Sequence, residues 1–156
     1  IMLRLLITAL IAAALLLPAC ATRPADSESP APKALSSDQL TGTWIAVSLP
    51  GIALPQPSGI DSARNGPPTI EFSQSRAAGF SGVNRFAGDL TLNATGPGGL
   101  RFGPIVSTKM AGPADRMALE AAFLKALADT TAARIEGDDL ILTAHQAELL
   151  RLRRQR

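Results

Sequence analysis

Ala133–Leu152 reads ARIEGDDLILTAHQAELLRL. Ala133 to Glu136 runs into Gly137-Asp138, after which Leu140 and Leu142 alternate with positions of opposite facing. A second turn, around Ala144 to Ala147, precedes Leu150 and Leu152. Period-two apolar patterning interrupted by short polar turns marks β-strands. Connections this short cannot cross over a sheet, so the three strands are antiparallel. Upstream the period changes. Pro113 to Asp129 is rich in alanine and leucine, with Met117, Ala121, Leu124 and Ala128 on one helical stripe and Leu119, Phe123 and Leu127 on another. Pro113 suits a first helical turn, and Arg116 with Glu120 offers an i,i+4 ion pair on the wet side.

Further upstream, Gly42 to Leu49, Thr69 to Ser73, Gly79 to Gly82, Phe86 to Leu92 and Leu100 to Ile105 read as strands, with a turn at Val83-Asn84-Arg85. Pro50 to Pro68 is rich in proline and glycine and reads as a long irregular connection. Gly96, Gly98 and Gly99 with Pro97 read as a flexible hairpin tip. The fold class that follows is α+β: a curved antiparallel sheet, partly barrel-like, with one packed helix. Trp44, Phe72, Phe80, Phe86, Phe102 and Phe123 are its expected aromatic core.

The first 37 residues read differently. Arg4 precedes an apolar run from Leu5 to Leu17, too short for the roughly 20 residues that span a bilayer and typical of a signal-peptide core. Leu17-Pro18-Ala19-Cys20 resembles the bacterial lipobox, which implies cleavage before Cys20 and lipidation of its thiol. Residues 1–19 are then the signal peptide and 20–37 a tether, polar and proline-containing, unable to bury enough surface to order itself. Ala21 in place of aspartate favours the outer membrane, facing the periplasm. The domain occupies 38–156.

Composition narrows the chemistry. A net charge of +2 is too small for phosphate-led nucleic-acid binding. The single cysteine excludes an internal disulfide or a multi-cysteine metal site. His145, the one histidine, falls in a turn and reads as solvated. No hydrolase or phosphate-loop motif occurs, so the expectation is no catalytic residue, no metal, no cofactor and no enzyme activity. Asn84, Arg85 and Asp89 form either a polar recognition surface or a turn in which Asn84 takes a left-handed conformation or satisfies turn amides and Arg85 pairs with Asp89 or Glu71. Ser107, Thr108 and Lys109 either cap the helix entry or share a face with Asn84. Arg151, Arg153, Arg154 and Arg156 suit either anionic headgroups or a solvated strand edge whose charges deter pairing.

The order Leu40-Thr41-Gly42-Thr43-Trp44, then Gly79 to Gly88 (GFSGVNRFAG), then Gly103 to Ala111 (GPIVSTKMA), then the Met117–Phe123 helix start and Glu136-Gly137-Asp138 resembles the META (HslJ-like) domain family of bacterial proteins, over about Leu40 to Arg153. The resemblance implies a small α+β domain with no known reaction attached. The family commonly carries cysteines where this chain has Val83 and Gly112. Their joint loss implies that these positions are neighbours, which places Asn84, Arg85, Ser107 and Lys109 on one face. The reading is therefore a monomeric, lipid-anchored envelope protein, a structural, stress-related or interaction module with an envelope protein as partner. The alternative is a carrier of a small apolar ligand in a cavity of the curved sheet.

Overall fold

The computed structural model describes residues 34–56 and 66–155. Cys20, the apolar run before it and most of the tether lie outside the described residues, as does Arg156. The elements are α1 (Ser37–Leu40), β1 (Gly42–Ser48), β2 (Thr69–Ser73), β3 (Arg76–Phe80), β4 (Arg85–Leu92), β5 (Leu100–Phe102), β6 (Val106–Ser107), α2 (Ala114–Asp129), β7 (Ala132–Glu136), β8 (Asp139–Ala144) and β9 (Ala147–Arg154). All strand pairs are antiparallel, in the spatial order β5-β4-β3-β2-β1-β9-β8-β7, with β6 pairing β4 beside β5.

The sheet curls until its two ends nearly meet. Gly99 bridges Ala132, the Leu100 N–H donates to the Thr131 carbonyl at 3.2 Å, and the Ala133 N–H donates to Gly98 at 2.8 Å. The glycine-rich stretch after β4 is therefore no free hairpin tip. Gly98 and Gly99 are buried because they close the barrel. Closure is confined to this point, and below it α2 fills the seam.

Helix α2 buries Leu119, Glu120, Phe123, Ala126 and Leu127. That is the second sequence stripe with two additions, Ala126 and the acidic Glu120. The first stripe lies on the rim, with Met117, Ala121 and Ala128 exposed and Leu124 half-buried. The exposed ion pair of this helix is Lys125 with Asp129, 2.6 Å, rather than Arg116 with Glu120. Arg116 reaches back to the Gly66 carbonyl, 3.0 Å away.

Inside the barrel, Trp44, Phe72, Phe86 and Phe123 are buried with Leu40, Ile70, Leu100, Leu127, Leu140, Leu142, Leu150 and Leu152. Phe86 meets Phe123 edge-on at 5.7 Å. Two expected core aromatics sit elsewhere: Phe80 and Phe102 are half-buried. Phe80 falls at the turn end of β3, opposite Thr69 and Arg85, and Phe102 lies at the seam.

The folded structure begins earlier than the tether's expected end at residue 37. Leu35 is buried, its carbonyl accepts from Asn93 Nδ2 at 3.0 Å, and Ser36 with Gln39 forms a capping box on α1. That short turn exists to serve Trp44. Its Nε1 donates to the Leu40 carbonyl at 2.7 Å, and the Arg154 guanidinium lies 4.3 Å above the indole while bonding Thr41 and Gln39 carbonyls.

Arg151, Arg153 and Arg154 are not on a free edge, because β9 lies between β1 and β8. Arg151 pairs with Glu148 at 2.7 Å and Asp139 at 3.5 Å, and Arg153 pairs with Asp139 at 2.8 Å. Hydrogen bonding from Arg153, with Arg151 behind it, holds the Asp139 carboxyl below its usual range against a smaller opposing effect of burial. Ile141, in register between Arg134 and Arg151, is fully buried although it faces outward.

Because Trp44 is 0% exposed and hydrogen-bonded, Trp44→Ala is expected to cost about 3–5 kcal/mol. Thermal denaturation checks this, and an unchanged melting temperature would remove Trp44 from the core.

Candidate functional site

The β3–β4 turn, Ser81 to Asn84, is where the sequence expectation and the structure converge. Gly82 adopts φ +132°, open to glycine and poor for other residues, and turns the chain against α2. The Val83 and Asn84 N–H groups then point at one carboxylate oxygen. Glu120 Oε2 accepts from Asn84 N at 2.7 Å, from Val83 N at 3.2 Å and from the Ser81 hydroxyl at 2.7 Å. Its Oε1 accepts from Asn84 Nδ2 at 2.8 Å.

Asn84 uses the rest of its amide on the loop that follows β6. Nδ2 also donates to the Met110 carbonyl at 3.1 Å, while Oδ1 accepts from Met110 N at 2.7 Å and from the Thr108 hydroxyl at 2.8 Å. Thr108 N donates to the Arg85 carbonyl at 3.0 Å, and Arg85 N to Thr108 Oγ1 at 3.2 Å. Three segments distant in sequence are thus fastened through two side chains.

Asn84 is 2% exposed and Glu120 7%, with every hydrogen-bonding site of the asparagine amide used. Burial pushes the Glu120 carboxyl up. The hydrogen bonds from Ser81, the Asn84 side chain and the two backbone amides together outweigh it and hold the group below its ordinary range. The carboxylate is buried, satisfied and acceptor-only, which makes it an anchor.

Of the four residues expected on one face, the structure brings all four together but not all to the surface. Asn84 is interior, Ser107 is half-buried, and Arg85 and Lys109 are exposed. Arg85 forms no ion pair with Asp89 or Glu71; among the described residues neither Arg85 nor Lys109 has an acidic partner within salt-bridge distance. On the same segment as Lys109 are two exposed apolar side chains that the sequence reading passed over, Val106 at 69% exposed and Met110 at 59%. Their signal was present in the break of alternation along Ile105-Val106-Ser107, but pattern alone does not say which face is wet.

Beside this patch, Phe102, Gly103, Pro104 and Ile105 face Leu124 and Ala128 of α2 across an open groove of about 500 Å³. A second hollow of about 290 Å³ lies against β1, lined by Ile45, Val47, Leu54 and Pro55 among others. His145 is exposed at the tip of the β8–β9 turn with φ +48°, remote in sequence from the Glu120 cluster.

A Cβ built on Gly112 meets Val83 Cγ2 at 2.7 Å, Cγ1 at 2.9 Å and Cβ at 3.4 Å. Positions 83 and 112 are therefore neighbours, as the paired loss of cysteines implied. The valine methyls occupy the space that any side chain at 112 would need.

A nearly closed antiparallel barrel with one helix in its seam, fastened by a buried asparagine and glutamate, is a compact structural domain. The META domain family profile matches residues 38–156, and the chain belongs to that family. It is similar to a Burkholderia xenovorans protein solved by NMR: 26% identity, TM-score 0.55, covering 85% of this chain and 97% of that one. A second NMR structure matches in fold at 20% identity and TM-score 0.55, covering 76% and 94%. No curated protein matches.

Two outcomes follow. Glu120→Gln replaces one acceptor oxygen by an amide that faces donors, so a loss of about 2–4 kcal/mol at neutral pH is expected. Since the folded pKa lies below the unfolded one, this stabilisation is present above about pH 4.3 and lost as pH falls through the folded value. Denaturant titrations from pH 7 to 2 should show the acid limb of the parent flattened in the variant; equal slopes would contradict the assignment. Second, Val83→Cys with Gly112→Cys should oxidise spontaneously, since a Cβ separation near 3.4 Å lies close to disulfide geometry and Gly112 has no positive φ to preserve. The closed loop of about 30 residues would add roughly 3–4 kcal/mol. Free thiols after air oxidation would refute the placement.

Proposed function

We propose that this META-domain protein is a non-catalytic interaction module of the bacterial cell envelope, held to the membrane by lipid on Cys20 and presenting the surface around Arg85, Val106, Lys109 and Met110 to an envelope protein. One observation carries the reading. The Asn84–Glu120 cluster spends all its polar capacity on holding two loops rigid, and those loops hold out to solvent an apolar pair and two cations that have no acidic partner among the described residues. Exposed apolar residues rimmed by charge are the usual composition of a recognition surface. A stress-related role is compatible with such a module, and so is a purely structural one. Lipid on Cys20 supplies the anchor on this reading, because three of the four C-terminal arginines are engaged within the domain.

The carrier alternative loses its expected location, since the barrel interior is filled by Trp44, Phe72, Phe86 and Phe123. It retains the groove between Phe102–Ile105 and α2, which is open and outside the core.

The test has two arms. Cys20→Ser should leave an uncleaved or soluble precursor on membrane fractionation; normal processing would end the anchor proposal. A photo-crosslinking residue at Val106 should capture a discrete envelope protein in cells, whereas one at the exposed Lys125 on α2 should not. Equal labelling from both positions would overturn the assigned surface.

A further inference from the structure

Strand β6 pairs with β4 on one side, and among the described residues no strand pairs it on the other. The hydrogen bond from Thr108 N to the Arg85 carbonyl fixes which way the ladder points. Amides of 106 and 108 face β4, so those of 105 and 107 face outward, because successive residues of a strand alternate. An open row of backbone donors and acceptors is a template for another strand, and proteins ordinarily cover or blunt such an edge. Here the opposite end of the sheet closes on β5 only at Gly99 and Ala132, well before β6. The apolar groove lined by Phe102, Ile105, Leu124 and Ala128 adjoins β6 at Ile105, the residue before the strand. The edge and the groove together have the two parts of a strand-addition site: main-chain pairing for affinity and a hollow for alternate side chains.

We infer that β6 is the docking edge for an extended, acidic-apolar segment of a partner protein, which adds as a strand along Ile105–Ser107 and lays its apolar side chains into the groove against Leu124. The inference rests on the interaction surface proposed above and adds the binding mode and the chemistry of the partner. Charge selects the occupant. Lys109 follows the edge, and Arg85 stands across the β4–β6 ladder opposite Thr108; both are exposed and without acidic partners among the described residues, and Arg101 is exposed on β5. Acidic side chains on the outward face of the added strand complete these cations, whereas a second copy of this chain would bring like charges to the same edge.

The probe is a fluorescein-labelled octapeptide that alternates valine or isoleucine with aspartate or glutamate, titrated into the purified full chain. Three results are expected. Anisotropy shows saturable binding below about 1 mM. Arg85→Glu with Lys109→Glu, both exposed and away from the core, weakens it at least about tenfold with the melting temperature unchanged. Amide exchange at Ile105 and Ser107 slows in the complex. A peptide N-methylated at alternate residues cannot extend the ladder and is expected not to bind. If it binds as well as the parent peptide and still depends on Arg85 and Lys109, strand addition is refuted while the recognition surface stands. If no peptide binds, or binding ignores the double variant, the docking edge is refuted. Binding of 3:1 phosphatidylcholine–phosphatidylglycerol vesicles lost in the double variant, without peptide binding, assigns the surface to lipid instead. A dimer in sedimentation that Val106→Asp dissolves assigns it to a second copy, and either result overturns the inference.

Discussion

The arrangement depends on a single buried carboxylate. Glu120 sits on the inward side of α2, where an ionised group is costly unless every lone pair finds a donor. The β3–β4 turn supplies those donors from two backbone amides, a serine hydroxyl and an asparagine amide. Removing part of the turn leaves the buried charge short of a donor, and removing the charge leaves several donors unsatisfied. Either loss is expensive, so the helix has essentially one docking position.

From that anchor the rest follows in sequence. Asn84 bonds Glu120 on one side and the Met110 backbone and Thr108 hydroxyl on the other, so the helix, the turn and the loop before the helix are placed together. Val83 fills the space left by the missing side chain of Gly112, which lets the two loops pack in contact without a covalent link. With α2 held in the seam, the sheet does not need to close along its full length. That is why, among the described residues, β6 pairs on one side only.

A different solution stabilises the other end of the barrel. There Trp44 is held by the Leu40 carbonyl beneath a short capped turn, with Arg154 stacked over it from the last strand. The outer face of β7 to β9 is neutralised by alternating charges around Asp139 and Arg151, which cover Ile141. Arg151, Arg153 and Arg154, three of the four arginines that stood out in the sequence as a basic tail, are thus structural partners within the domain.

Local patterning determined much of this protein by itself. The alternation and tight turns of Ala133–Leu152 require antiparallel strands, the alanine–leucine run before them requires a helix, and the spaced segments from Leu40 to Met110 carry the family resemblance. These signals are short-range, so they survive without knowledge of the fold. What only the tertiary structure decided is where each face points. Glu120 looked like half of an exposed pair with Arg116 because helical spacing reports neighbours along a helix, and it says nothing about a turn some 36 residues away whose amides are aimed inward. The burial of Asn84 beside an exposed Val106, the filled interior and the open edge of β6 have the same origin. Each depends on how the sheet curls and where the helix lands, and those are set by contacts between segments far apart in the chain.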